Sequence, residues 1–169
     1  PGGVYGAGAA YIFERNAGGT NAWGQVAKLA ASDKATWENF GCSVSVAGDV
    51  ALVGAYSANP GGLSAAGAAY VFERDAGGAN AWGQVAKLTA SDKAEGDRFG
   101  IAVSVAGDVA LVGAHFADTF GFVDAGGAAY VYERNAGGTN AWGQVAKLEA
   151  SENTAWGFLG VSVSVAGDV

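Results

Sequence analysis

The chain has 169 residues, half of them apolar, with 29 glycines, two prolines and only 15% charged side chains. So apolar a composition excludes disorder, and glycine at roughly twice its usual share points to tight turns and close backbone contacts, hence to an all-β protein. The net charge of −7 comes from scattered acids with no block of Lys or Arg, so nucleic acid is not expected as a partner, because phosphate binding needs clustered cations.

Three blocks recur along the chain. AAYIFER at Ala9 returns as AAYVFER at Ala68 and AAYVYER at Ala128; NAWGQVAKL runs Asn21 to Leu29, Asn80 to Leu88 and Asn140 to Leu148; SVAGDV begins at Ser45, Ser104 and Ser164. The spacings are 59 and 60 residues. One period holds four strand-like segments, which in the central copy are Phe99 to Ala106, Val109 to Ala114, Ala128 to Arg134 and Gln144 to Ala150. Ile101, Val103 and Val105 alternate with Ala102 and Ser104, the period of two expected of a strand. Gly48-Asp49, Gly107-Asp108 and Gly167-Asp168 read as two-residue hairpin turns in which each Asp serves the turn.

Four antiparallel strands at this period predict β-propeller blades. In chain order the sequence predicts the outer two strands of a blade at 7–31, full blades at 40–90 and 99–150, and the inner strand of another at 159–169, about 2.75 blades in all. Ser43, Ser45, Ala102, Ser104, Ser162 and Ser164 suit the crowded axis, and Tyr11, Phe13, Tyr70, Phe72, Tyr130 and Tyr132 fill the wider space outside it. An enzyme would need acids, His or a metal gathered at that axis, so no catalytic residue is predicted. Cys42 is alone and is expected to be a small buried hydrophobe; the lone His115 cannot build a His-rich metal site. There is no apolar run of 18 residues, so no membrane insertion is expected. The chain opens at Pro1 and stops inside a hairpin, so it is expected to be part of something longer, closed by further blades of its own chain or by other copies.

Phe40-Gly41 and Phe99-Gly100, followed by Val53-Gly54-Ala55 and Val112-Gly113-Ala114, carry a resemblance to tandem FG-GAP repeats; the third copy has Leu159-Gly160 instead. Such repeats are known from integrin α heads and, without the long calcium loop, from bacterial secreted and surface proteins. The resemblance implies a noncatalytic structural or adhesive propeller, extracellular or at the cell surface and prokaryotic. It also makes calcium conceivable as a ligand, but the Gly-Asp connections are too short to supply six to eight oxygens, so no cofactor is expected.

The parts that do not repeat are the candidates for recognition. The loop HFADTFGFVDAGG gathers His115, Phe116, Asp118, Phe120, Phe122 and Asp124, and Trp37 and Trp156 share a loop position where the middle copy has Gly96. These residues predict a contact surface for a protein or, in the alternative lectin-like reading, a glycan. Trp23, Trp82 and Trp142 read as packing rivets at the outer edge, and Glu14-Arg15, Glu73-Arg74 and Glu133-Arg134 as paired surface charges.

Overall fold

A computed structural model describes residues 4–117, 126–152 and 156–167. Among them are ten strands in three antiparallel sheets. Strands β1 (Ala10–Arg15) and β2 (Trp23–Leu29) pair alone. The second sheet holds β3 (Val44–Ala47), β4 (Val50–Ala55), β5 (Ala68–Glu73) and β6 (Gly83–Leu88) in that spatial order. The third repeats it with β7 (Ala102–Ala106), β8 (Val109–Ala114), β9 (Ala128–Glu133) and β10 (Gly143–Leu148). Strands adjacent in sequence are adjacent in space, which is the four-stranded blade of a β-propeller.

The alternation on β4 and β5 explains why the second sheet is buried on both faces. Val50, Leu52, Ala69 and Val71 enter one core, shared with Val103, Val105, Val112 and Tyr130 of the third sheet. Ala51, Val53, Tyr70 and Phe72 enter another, shared with Ala10 and Leu29 of the first sheet. The large aromatics of strand three are wedged by the Phe of the FG element: Phe40 meets Tyr70 and Phe72 at 5.4 and 5.9 Å between ring centroids, and Phe99 meets Tyr130 and Tyr132 at 5.5 and 6.0 Å. Edge-to-face pairs of this kind add roughly 1 kcal/mol each to the burial itself.

The inner strands join blade to blade through serine. Val105 N donates to Ser45 Oγ at 3.1 Å, and Val165 N donates to Ser104 Oγ at 3.0 Å. Residues 161–166 thus stand beside β7 as β7 stands beside β3, although they form no strand ladder among the described residues. Small residues at the axis therefore do more than fit: the hydroxyls satisfy backbone donors of the next blade.

One irregularity repeats in every sheet. The register slips between strands three and four so that Val26, Val85 and Val145 have no partner, and all three are over 40% exposed. This is a β-bulge, which leaves one residue unpaired and re-aims its neighbours. Gln84 and Gln144, just before the bulge, use the change of direction to accept from Ser32 N and Ser91 N of the preceding repeat, each at 2.9 Å.

Candidate functional site

Up-and-down strands put the connections at two opposite ends of the sheets. At one end lie the turns after β3 and β7 and the loops between strands three and four. Gly48 and Gly107 take φ of 55°, whereas neither Asp49 nor Asp108 has a positive φ. Only the glycine therefore needs the left-handed region, and a type I′ turn, with both central residues positive, is ruled out. The aspartates have a different task. Asp49 Oδ1 accepts from Arg74 Nε at 2.8 Å while Arg74 Nη2 reaches Glu14 at 2.6 Å; Asp108 and Glu73 hold Arg134 in the same way at 2.7 and 2.5 Å. Each Arg is thus bound to the Glu of the repeat before it, and the pairing is between blades, not between the sequence neighbours Glu14-Arg15 or Glu73-Arg74. Arg74 and Arg134 also lie over Trp82 and Trp142 at 5.3 and 5.2 Å. Trp142 is buried as expected of a rivet, Trp82 is half-buried and Trp23 is 68% exposed.

The opposite end collects the long loops. There Asp33 accepts from Tyr70 Oη at 3.0 Å and pairs with Lys87, and Asp92 repeats this with Tyr130 and Lys147. Burial would raise the Asp33 and Asp92 carboxyls, but the Lys and Tyr donors outweigh it and hold both below the usual range. Glu38 and Asp97, each almost wholly buried, accept from Ala35 N and Ala94 N and close the loops into which they are set. None of these carboxylates stood out in the sequence, where they read as loop polarity.

Of the sequence-predicted contact residues, Trp37 and Trp156 are at this end, each 60% exposed, with left-handed backbones of φ 66° and 64°. Gly96, at the same loop position, has φ 85°. The fold imposes the left-handed turn on all three copies, and two of them carry a bulky ring where glycine is cheaper. The edge of Trp37 meets Tyr5 at 4.7 Å, and its ring lies where a side chain on Gly6 would have to stand. His115 and Phe116 stack at 4.0 Å; Phe158 meets Phe116 at 5.6 Å, His115 at 6.0 Å and Trp156 at 6.0 Å. His115 is buried, and its Nδ1 has no hydrogen-bond partner among the described residues. Burial and the Arg98 charge push its pKa below the ordinary value. Asp118, Phe120, Phe122, Asp124 and Asp168 lie outside the described residues. Phe158 and Arg98 were missed as members of the cluster, because positions 39, 98 and 158 hold Asn, Arg and Phe and give no repeating signal.

Cys42 departs from expectation. It is exposed, with Sγ 3.4 Å from Gly100 O in the turn that leads into the next blade. Among those residues there is no group of three or more His, Cys, Asp or Glu placed to hold a metal ion. No helix among them is long and apolar enough to cross a membrane, which says nothing about a β-barrel.

Four-stranded antiparallel blades stacked through the same contacts at every repeat define a propeller-type repeat protein. The FG-GAP repeat family model matches residues 23–72 and 82–132, so the chain belongs to the FG-GAP repeat family, a propeller-like interaction module. No curated protein matches the chain. Each matched unit starts on strand four of one sheet and ends on strand three of the next. The sequence repeat is therefore offset from the blade by one strand. Its glycines lie at the joint: a Cβ on Gly54 would stand 1.9 Å from Gly100 O, and one on Gly113 would stand 1.9 Å from Gly160 O. The GA glycine of one repeat and the FG glycine of the next thus meet backbone to backbone.

Proposed function

We propose that the chain is a noncatalytic, structural or adhesive part of a secreted or cell-surface propeller, of the bacterial type with short Gly-Asp connections, and that its long-loop end is the contact surface. The observation that carries this is the pair of exposed tryptophans, Trp37 and Trp156, set at one loop position on a left-handed backbone that favours glycine. A bulky ring held on a strained backbone and left in water supports a role in contact outside the chain. The opposite end is occupied by its own ion pairs, in which Arg74 and Arg134 engage the turn carboxylates of Asp49 and Asp108, and this supports the part of the reading that has no calcium held there. The reading also has further blades, or other copies, covering the open sheet faces.

The test is surface adhesion of Trp37→Ala and Trp156→Ala against Asp49→Asn and Asp108→Asn at the far end. The tryptophan changes are expected to cut adhesion several-fold and the far-end changes to leave it alone; the reverse order overturns the reading. Mass in dilute solution tests the covering of the faces, which a stable folded monomer of the 169-residue chain would refute.

A further inference from the structure

The long-loop end carries a cation that no carboxylate neutralises among the described residues. Arg74 and Arg134 each bind two acids, and Lys87 and Lys147 each bind an aspartate. Half-buried Arg98 instead lies over two rings, 4.7 Å from the Phe116 centroid and 5.7 Å from that of Tyr56. The residue at its place in the preceding repeat, Asn39, spends its amide on Ser57 Oγ at 3.1 Å. From Phe116 the aromatic surface continues through Phe158 to Trp156, which is 60% exposed. His115 stacks against Phe116 at 4.0 Å, its Nδ1 buried and without a partner among the described residues.

We propose that Arg98, Phe116, Phe158 and Trp156 form a subsite for an acidic sugar, a hexuronate unit of a polysaccharide; the inference rests on the reading of this end as the contact surface. Two properties of the site select that chemistry. The guanidinium fork matches a carboxylate in two parallel hydrogen bonds, and its position over aromatic rings fixes the fork's plane. Trp156 offers an exposed ring to the C–H face of a pyranose, as aromatic surfaces do to any flat apolar face. An aspartate or glutamate side chain from a protein partner would use Arg98 alone and leave the rings without a flat face to cover. The chain's net charge of −7 does not oppose this at contact, since charges beyond about 8 Å are largely screened at physiological salt. Recognition is therefore by the local fork and not by long-range attraction.

The test uses the protein in its native assembly, titrated calorimetrically with trimers of galacturonate, glucuronate and mannuronate, each beside its neutral methyl ester, and with tri-aspartate. At least one acid trimer should bind about tenfold more tightly than its ester, the difference expected of a charge-assisted contact. Arg98→Gln should erase that preference, and Trp156→Ala should weaken acid and ester alike, both variants keeping the β-type circular dichroism of the parent. Equal binding of acid and ester, a preference that survives Arg98→Gln, no binding by any trimer, or tri-aspartate binding as tightly as the sugars overturns the proposal. If Arg98→Gln is silent while Trp156→Ala still reduces adhesion, the acidic sugar falls and the contact surface stands; if both are silent in adhesion, the contact surface falls with it.

Discussion

Strands β3 and β7 are near-copies in sequence, VSVA and AVSVA, yet Val44 and Val46 are 62% and 61% exposed while Val103 and Val105 are 8% and 5% exposed. Nothing in the strands themselves differs. What differs is the neighbour: β7 packs against β3 and β4, whereas β3 faces a two-stranded sheet that has no inner pair among the described residues. The same contrast separates Leu52, wholly buried, from Leu111, its half-buried equivalent on the outer face of the third sheet. In a repeat protein the core belongs to the joint between units, so one sequence pattern is core in one copy and surface in another.

The largest expected effect is at the backbone of that joint. Gly54→Ala puts a Cβ against the carbonyl oxygen of Gly100, which cannot move without displacing the whole FG turn. A loss of about 3 kcal/mol in a urea melt is expected. Gly48→Ala is the control, since its Cβ would meet nothing and only the left-handed φ of 55° is strained, at about 1 kcal/mol. Equal losses would mean that the joint is looser than its contacts indicate.

The buried and exposed valines give the next largest. Val105→Ala should cost about 2 kcal/mol in transfer and cavity terms. Val46→Ala in dilute chain should stay within about 0.5 kcal/mol. If the two match at concentrations where the chain associates and differ where it does not, the exposed face is covered in the assembly, and the comparison becomes a measure of that cover.

A smaller effect links the repeats through charge. The Asp33 carboxyl is held below its unfolded value, with burial opposing and Lys87 and Tyr70 prevailing. Its contribution is present above the unfolded pKa of about 4 and is lost as pH falls through the lower folded value. Asp33→Asn should flatten that acid limb of a stability-against-pH profile and leave the neutral range with a small, uniform loss. A profile that keeps its acid limb would assign the limb to other carboxylates.

The blades were legible because their signal is repeated: alternation, Gly-Asp turns and the FG and GA elements recur at fixed spacing, and the structure places those of the second and third sheets in equivalent positions. The partners were not. That Glu14 binds Arg74 and not Arg15, that Ser45 receives Val105 N, and that Cys42 meets Gly100 O all depend on which blade stands alongside, a fact about contacts about 60 residues apart that no local pattern encodes. The candidate site was half legible. Trp37, Trp156, His115 and Phe116 stand out as aromatics where the repeat varies, while Arg98 and Phe158 gain meaning only when the loops fold together.

The smallest effect concerns the two tryptophans and separates packing from recognition. Trp37 has a left-handed backbone, and glycine there would relieve about 1 kcal/mol of strain. Against this, Trp37→Gly gives up the contact with Tyr5, itself 72% exposed and so a weak anchor. The two terms nearly cancel, so the melting temperature should move by no more than about 2 °C in either direction. Adhesion, by contrast, should fall as it does in Trp37→Ala. If Trp37→Gly instead lowers stability by more than about 2 kcal/mol with adhesion intact, the ring is a structural plug over Gly6, and the strained backbone is explained by packing alone.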